Sequence, residues 1–251
     1  MNAAMKLAFD IAAPRFHCPL TLVAGSTIEL PEATFHHAVR VRRLGIGDSL
    51  TLFSGDGHEA RARLVSIRRD RADALIEQTI DFDRESPLRV SLLQGISSGD
   101  RMDYTLQKAA ELGIRSIIPV ASDRSQRSAA PRAEKRATHW REVVISACEQ
   151  SGRNRIPDVA DASTLAAALA STSAATRLLL STNGGARLRE LPPPSGSIAL
   201  LAGPEGGLSN DEEMLAKRAG FTAVSLGPRI LRTETAAVAA LAAIQALWGD
   251  G

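Results

Sequence analysis

Two glycine-containing segments decide the fold: Leu201-Ala-Gly-Pro-Glu-Gly-Gly-Leu-Ser-Asn-Asp-Glu-Glu213 and Leu226-Gly-Pro-Arg-Ile-Leu-Arg-Thr-Glu-Thr235. Each follows a short apolar run that predicts a strand and precedes a helix. The first helix opens with Ser209 and Glu212, the spacing of a capping box. Ligands of α/β sheets bind where strands end, and glycine lets backbone approach them closely. The two segments are therefore predicted to hold one nucleoside-like ligand with backbone groups.

The chemistry of the first loop, Gly203–Gly207, argues against a phosphate site. It has no lysine, and the Glu205 carboxylate would repel phosphate but tolerate a cationic ligand. The chain has no GxxxxGK[ST] or HExxH motif and no CxxC pair, and the adjacent His36 and His37 point in different directions. No metal site is predicted. Spacing alone leaves a second interpretation open, a tight turn that only starts the helix.

The rest of the chain divides into two domains. Residues 15–82 are β-rich, with apolar residues alternating with charged ones from 59 to 64, which predicts a small antiparallel β-barrel with a short helix between 31 and 44. The charged, proline-containing stretch 81–88 marks the junction. From residue 89 strands and helices alternate, so residues 86–251 are predicted to form an α/β domain.

The last helix of that domain is uncharged. No residue from Ala236 to Trp248 carries a charge, so this helix should be buried on nearly every face. One small domain rarely covers all sides of its last helix, which favours a contribution to a dimer interface.

Composition bounds the class of protein. With 251 residues, 44% apolar and 23% charged, the chain is typical of a globular protein, and no apolar run is long enough to cross a membrane. Two cysteines suit a reducing cytoplasm. Residues 1–14 make a poor signal peptide and are interpreted as a leader or the product of an upstream start codon. The net charge of +2 does not by itself indicate nucleic-acid binding.

Four blocks, in order, resemble the RsmE family, the 16S ribosomal RNA uridine-N3 methyltransferases of the SPOUT superfamily. They are the two segments quoted above, Gln107–Gly113 with its Gln-Lys-Ala-Ala-Glu-Leu-Gly sequence, and Ala147–Pro157. Pro14-Arg15-Phe16 resembles the usual start of the family, and His37 with Arg43 its first block. The resemblance covers nearly the whole chain from Arg15 onward.

The resemblance implies a PUA-like RNA-binding barrel followed by a SPOUT domain whose carboxyl end forms a trefoil knot. It further implies that S-adenosylmethionine binds in the knot, that the enzyme is a cytoplasmic homodimer without a metal, and that its substrate is 16S rRNA in the small ribosomal subunit. The positions that would bind the cofactor are Leu180, Ser181, Thr182, Ala202, Gly203, Pro204, Glu205, Gly206, Gly207, Leu226, Gly227, Ile230, Leu231 and Thr233.

Two residues are candidates for catalysis. Arg232 is placed to stabilise negative charge on a uracil that has lost its N3 proton, and Glu234 to accept that proton. The alternative for Glu234 is a structural one, because an acidic residue stabilises the first turn of a helix.

Arginine supplies 26 of the 30 cationic side chains, and its planar fork matches phosphate oxygens. A GC-rich genome would produce the same bias, and each arginine alone is consistent with a solvated charge. Only 4% of residues are aromatic, so RNA contacts would depend on phosphate and shape. The candidates for such contacts are Arg15, Arg40, Arg43, Arg124, Arg127, Arg153 and Arg155.

Two other functions remain open at the level of sequence. One is a sister SPOUT methyltransferase that modifies a ribose 2′-hydroxyl or a transfer RNA base. The other is a non-catalytic RNA-binding or ribosome-assembly protein that uses the barrel alone and has no affinity for the cofactor.

Overall fold

The structure is a computed structural model that describes residues 13–125 and 133–251. By its internal contacts the chain divides into two compact units. The first comprises the described residues up to Glu85 together with Cys148–Ile156, and the second Ser86–Ala147 together with Pro157–Gly251. The segment 148–156, which the sequence analysis assigned to the second domain, therefore packs with the first unit.

The first unit is built on one five-stranded sheet with the order β1-β3-β4-β5-β2, in which only the β1–β3 pairing is parallel. A helical turn, Glu32–Phe35 (α1), continues into a π-helical segment, His36–Val41, where a short helix was predicted. The strands are Arg15–His17 (β1), Thr27–Glu29 (β2), Ser49–Phe53 (β3), Glu59–Ile67 (β4) and Ala72–Ile80 (β5).

The predicted alternation along β4 is present in this sheet except at Glu59, which is buried. Ala60, Ala62 and Leu64 are fully buried in the core of the unit, while Arg61 and Arg63 alternate with them and are less buried. The β-barrel, as distinct from this sheet, stays a prediction.

The second unit is an α/β fold on an eight-stranded sheet in which every pairing among the described residues is parallel. The strand order is β11-β13-β10-β12-β6-β7-β8, and β9 also pairs with β7. The strands are Val90–Gly95 (β6), Ser116–Ala121 (β7), Asp158–Val159 (β8), Ser163–Thr164 (β9), Thr176–Leu180 (β10), Ala186–Arg187 (β11), Ile198–Ala202 (β12) and Thr222–Ser225 (β13). The helices are Gly99–Glu111 (α2), Ala133–Ser151 (α3), Leu165–Ser171 (α4), Asn210–Arg218 (α5) and Thr233–Trp248 (α6).

Local sequence explains the central elements of this sheet. β12 is buried at all five positions, as expected of an apolar strand covered on both faces. α2 ends before Gly113, whose φ of +79° is left-handed and favours glycine after a helix. The predicted capping box is present, because the Ser209 side chain accepts from the Glu212 N–H and the Glu212 carboxylate accepts from the Ser209 N–H.

The chain crosses the sheet between β13 and α6. β13 pairs with β10, whereas Thr233, the first residue of α6, contacts Gly203 after β12 and Gln94 in β6. Residues 226–232 must therefore pass the carboxyl ends of β10 and β12. This crossing brings the two glycine-containing segments together, as the sequence predicted.

The last helix begins at Thr233, three residues before the uncharged stretch, and packs on α2. One face is buried, with Ala237, Ala240, Leu241, Ile244 and Gln245. The expectation of burial on nearly every face is not met within one chain, since the side chain of Leu247 is 44% exposed. Among the described residues, no helix is long and apolar enough to span a membrane.

A close backbone approach fixes the end of β6 against the segment after β12. A Cβ on Gly95 would lie 2.4 Å from the Pro204 nitrogen and 2.8 Å from the Gly203 carbonyl carbon. Both neighbours are backbone atoms, which cannot move aside as a flexible side chain would. Only glycine therefore allows this crossing at position 95.

The close contact between Gly95 and the segment after β12 predicts an effect on stability. Gly95→Ala should lower the free energy of unfolding by about 1–3 kcal/mol, the usual cost of overpacking a core, as measured by urea denaturation. Gly99→Ala is the matched control, because a Cβ there meets no atom within 4 Å. It should leave stability unchanged or slightly raised, since alanine favours a helix. Equal stability of the two variants would contradict the close approach.

Candidate active site

A cavity of about 560 Å³ opens in the second unit at the carboxyl ends of β10, β12 and β13. All fourteen residues predicted to bind a cofactor line it, and so does Arg232. Its volume lies within the range of about 300–1,000 Å³ typical of small-molecule sites. The two loops thus surround one concave site, as predicted from their positions at the ends of strands.

The Gly203 carbonyl group ties three elements together at the base of this cavity. Its oxygen accepts a hydrogen bond from the Thr233 hydroxyl at 2.7 Å. The Gln94 side-chain nitrogen lies 3.4 Å from the same oxygen and 3.3 Å from the Thr233 hydroxyl. The end of β6, the loop after β12 and the start of α6 are therefore joined by one set of polar contacts. Sequence reasoning missed Gln94.

The loop 203–207 is held at two further points. The Glu205 carboxylate accepts a hydrogen bond from the Ser98 N–H at 2.7 Å and lies 3.5 Å from the Arg101 guanidinium. Partial burial alone would raise the pKa of Glu205, but these bonds and the nearby cation lower it below its ordinary value. The Arg124 guanidinium donates to the Gly206 carbonyl oxygen at 2.9 Å. The loop is thus anchored before any ligand arrives, and its carboxylate is ionised.

A second carboxylate, Glu213, lines the cavity and is buried. The Ser181 hydroxyl donates to it at 3.2 Å and the Asn183 amide at 3.3 Å, and Lys217 lies 3.6 Å away. Sequence analysis did not select Glu213, because an acidic residue in the first turn of a helix ordinarily compensates the helix dipole. The sequence gives the position of Glu213 after Ser209 but carries no signal that its side chain is buried.

Arg232 is the N-cap residue of α6, and its side chain is exposed and lines the cavity. Within the described chain its guanidinium has no acidic partner, so its charge is available to a ligand. Glu234 lies in the first turn of α6, as the structural alternative for this residue expected. It is not among the residues that line the cavity, and its Oε2 atom is buried without a hydrogen-bond partner in the described structure.

Two of the arginines expected at an RNA surface are engaged inside the first unit. The side chain of Arg153 is only 4% exposed and donates to the Glu85 carboxylate. Arg15 donates to the buried Glu59 carboxylate and to the Asn154 side chain. The expectation that Arg15 and Arg153 are free to meet phosphate is therefore corrected, because each already has a protein carboxylate as its partner.

Three further arginines were expected to contact RNA, at positions 124, 127 and 155. Arg155 is half-buried, donates to the Asp56 carbonyl oxygen and packs over Gly57. Arg124 is exposed but hydrogen-bonded to the loop 203–207 rather than free. Arg127 lies outside the described residues.

Arg40 and Arg43 remain at the surface of the first unit. The Arg40 guanidinium donates to the Arg69 carbonyl oxygen and lies 5.4 Å from the centre of the Phe35 ring. Arg43 follows the π-helical segment with a φ of +60°, which is uncommon for a residue other than glycine. Both side chains are exposed and have no ion pair within the described residues.

The donor set of the cavity suits a particular class of ligand. The two loops offer backbone groups, and the lining also carries two carboxylates and four arginines: Glu205, Glu213, Arg101, Arg124, Arg229 and Arg232. The described residues contain no cluster of metal-ligating side chains. Lysine is absent from the lining. Such a site can hold a nucleoside-like ligand through backbone groups and place carboxylates near its cationic groups.

Known families match both parts of the chain. An RNA methyltransferase domain matches residues 84–245, and an RNA methyltransferase PUA domain matches residues 30–77. Ribosomal RNA small subunit methyltransferase E of Bacillus subtilis (strain 168) is 33% identical over 87% of this chain and 89% of its own length. Its counterpart in Buchnera aphidicola subsp. Schizaphis graminum is 32% identical over 94% of this chain and 97% of its own length.

Solved structures agree with these relatives. A ribosomal RNA small subunit methyltransferase E from Neisseria gonorrhoeae, bound to S-adenosyl methionine, superposes with a TM-score of 0.90 at 47% identity, covering 95% of this chain and 99% of that one. A putative methyltransferase from Legionella pneumophila, in complex with the same cofactor, gives a TM-score of 0.93 at 36% identity with the same coverage. The chain therefore belongs to the ribosomal RNA small subunit methyltransferase E (RsmE) family of RNA methyltransferases.

Proposed function

We propose that this protein methylates N3 of a specific uridine in 16S ribosomal RNA, with S-adenosylmethionine as methyl donor, on the assembled small ribosomal subunit. The observation that carries the proposal is one cavity in which both glycine-containing loops meet the Arg232 side chain, which has no acidic partner among the residues that the structure describes. The likeness to two cofactor-bound relatives supports the choice of donor.

The residues of the cavity fit this cofactor. S-adenosylmethionine, when bound, supplies a methyl group on a sulfonium centre, which is a good leaving group. Backbone groups of the two loops would hold its adenosine and methionine parts. The carboxylates of Glu205 and Glu213 place negative charge around a ligand that carries an amino group and a sulfonium cation.

The part we assign to Arg232 concerns the uracil. Its N3–H is a weak acid, and the nitrogen cannot attack until the proton has left. The negative charge that results lies largely on the uracil oxygens, where a guanidinium stabilises it in the way of an oxyanion hole. Positioning of the two reactants supplies much of the remaining rate enhancement.

Glu234 is the less favoured candidate for the proton acceptor. It lies two residues beyond Arg232 but outside the cavity lining. We therefore assign it to the first turn of α6, where its charge faces the helix dipole favourably. Direct loss of the proton to water would leave Arg232 as the charged group that acts on the uracil.

We further propose that residues 86–251 form a SPOUT domain with a trefoil knot and that two copies associate. The crossing of residues 226–232 over the ends of β10 and β12 supports a threaded chain. The exposed apolar side chain of Leu247 on an uncharged helix supports a homodimer. Residues 15–82 would bind RNA in the cytoplasm, with Arg40 and Arg43 as its phosphate contacts.

Product analysis tests the proposed reaction. Small ribosomal subunits from a strain lacking this protein should accept labelled methyl groups from S-adenosylmethionine, and nucleoside analysis should identify N3-methyluridine. Label on a ribose, or on another base, would replace the proposal with a sister methyltransferase. Absence of both label and cofactor binding would favour the ribosome-assembly alternative.

Arg232→Ala tests the assignment of charge stabilisation. Loss of one such group typically lowers kcat by about 10²–10³-fold, and cofactor affinity should change little. Arg189→Ala, which removes an exposed arginine outside the cavity lining, is the control and should retain wild-type kcat. Loss of cofactor binding in Arg232→Ala would assign the arginine to the structure of the loop instead.

Arg40→Ala with Arg43→Ala tests the RNA surface. If each side chain neutralises one phosphate, the slope of log affinity against log salt should fall by about 1–2 in the double variant. Fluorescence anisotropy with a 16S rRNA fragment measures this slope, and Arg189→Ala again controls for lost charge. An unchanged slope would remove both arginines from the RNA interface.

A further inference from the structure

We infer that Gln94 is a positioning residue for the proposed methyl transfer: its buried carboxamide fixes Thr233 and, through it, the place from which Arg232 enters the cavity. The inference rests on the proposed function of Arg232. It concerns a side chain that does not itself line the cavity.

The contacts of Gln94 leave its amide nitrogen in one orientation. The side chain is fully buried near the end of β6. Its Nε2 atom donates to the Gly95 carbonyl oxygen at 3.0 Å, and it lies 3.3 Å from the Thr233 hydroxyl oxygen and 3.4 Å from the Gly203 carbonyl oxygen. The Thr233 hydroxyl gives its single proton to Gly203, so towards Gln94 it can only accept. The nitrogen end of the carboxamide must therefore face Thr233.

The other end of the same carboxamide is unsatisfied. Gln94 Oε1 is buried and has no hydrogen-bond partner within the described residues. Leaving a buried acceptor unpaired is unfavourable, and leucine would fill a similar volume without that cost. Packing alone thus does not explain glutamine at this position. The donor end does, because it is the only part of the side chain with protein partners.

The consequence falls on Arg232. Thr233 is the first residue of α6, and Arg232 is the N-cap residue directly before it. The Arg232 carbonyl oxygen accepts from the Ala236 N–H at 2.8 Å, so the helix holds this residue on one side. The pair of Gln94 and Thr233 holds it on the other. A displacement of about 1 Å in such a residue can lower a rate by roughly 10²-fold.

Loss of Gln94 should leave the loop 203–207 in place. The Thr233 hydroxyl would still donate to Gly203, and Ser98 would still donate to Glu205. The freedom gained would lie in Thr233 and Arg232, not in the loop itself. Turnover and cofactor affinity should therefore respond differently.

Gln245 provides a matched control. It is also a buried glutamine of the second unit, but both ends of its carboxamide are satisfied. Its nitrogen donates to the Leu112 carbonyl oxygen at 2.8 Å and its oxygen accepts from the Ser86 hydroxyl at 2.8 Å. It does not line the cavity. Gln245→Leu removes a purely structural pair of bonds.

The experiment measures kcat, the KM for small subunits, the Kd for S-adenosylmethionine and the urea midpoint. Gln94→Leu should lower kcat by about tenfold or more, while the cofactor Kd stays within about threefold and the midpoint is unchanged. Gln245→Leu should lower the midpoint and keep kcat within about twofold of wild type. A kcat for Gln94→Leu within about twofold of wild type would overturn the inference, as would a fall in kcat shared equally by both variants.

Variants of Thr233 give an internal test of the shared contact. Thr233→Val removes the hydroxyl that Gln94 contacts and should lower kcat. The double variant of Gln94→Leu with Thr233→Val should be no slower than Thr233→Val alone, because one interaction is removed twice. Fully additive losses would mean that the two side chains act independently, against the inference.

Hydrogen exchange separates this inference from the proposed function. If wild-type protein transfers no methyl group to RNA, the proposed function fails. Gln94→Leu should still speed exchange in the first turn of α6, and Gln245→Leu should not. Unchanged exchange in that turn would overturn the positioning role by itself.

Discussion

The close contact between the end of β6 and the loop after β12 is the constraint on which the site depends. A side chain at position 95 would have no room beside Pro204. The Gly203 carbonyl oxygen accepts hydrogen bonds from the Thr233 hydroxyl and the Gln94 side-chain amide. These contacts join three segments that are far apart in the chain. The loop 203–207 and the start of α6 consequently face the same cavity, and Arg232 enters it from the junction.

Charged side chains have different roles in the first unit and in the cavity of the second unit. Arginine in the first unit has two roles. Arg15 and Arg153 pair with the carboxylates of Glu59 and Glu85, while Arg40 and Arg43 remain exposed. In the cavity, the carboxylates of Glu205 and Glu213 lie close to cations of the protein, whereas Arg232 has no acidic partner among the described residues. In the proposed reaction the carboxylates would face the cationic cofactor and Arg232 the anionic base.

Local pattern was sufficient for much of this fold. The apolar run Ile198–Ala202 and the capping residues Ser209 and Glu212 lie where the sequence placed them, because strand burial and helix capping depend on near neighbours. The pairing of Arg153 with Glu85 spans 68 positions and leaves no local signal, so an engaged arginine was taken for a free one. Gln94 was missed for the same reason, since its partners at the start of α6 and in the loop 203–207 follow more than a hundred residues later.

The central claim is that the cofactor binds where the two glycine-containing loops meet. A crystal structure of the protein with S-adenosylmethionine tests it most directly. The account predicts the cofactor between residues 202–207 and 226–233, with the Thr233 hydroxyl still donating to Gly203 and the Arg232 side chain open to a base beside the methyl group. Cofactor density elsewhere, or loops that separate to admit it, would contradict the account.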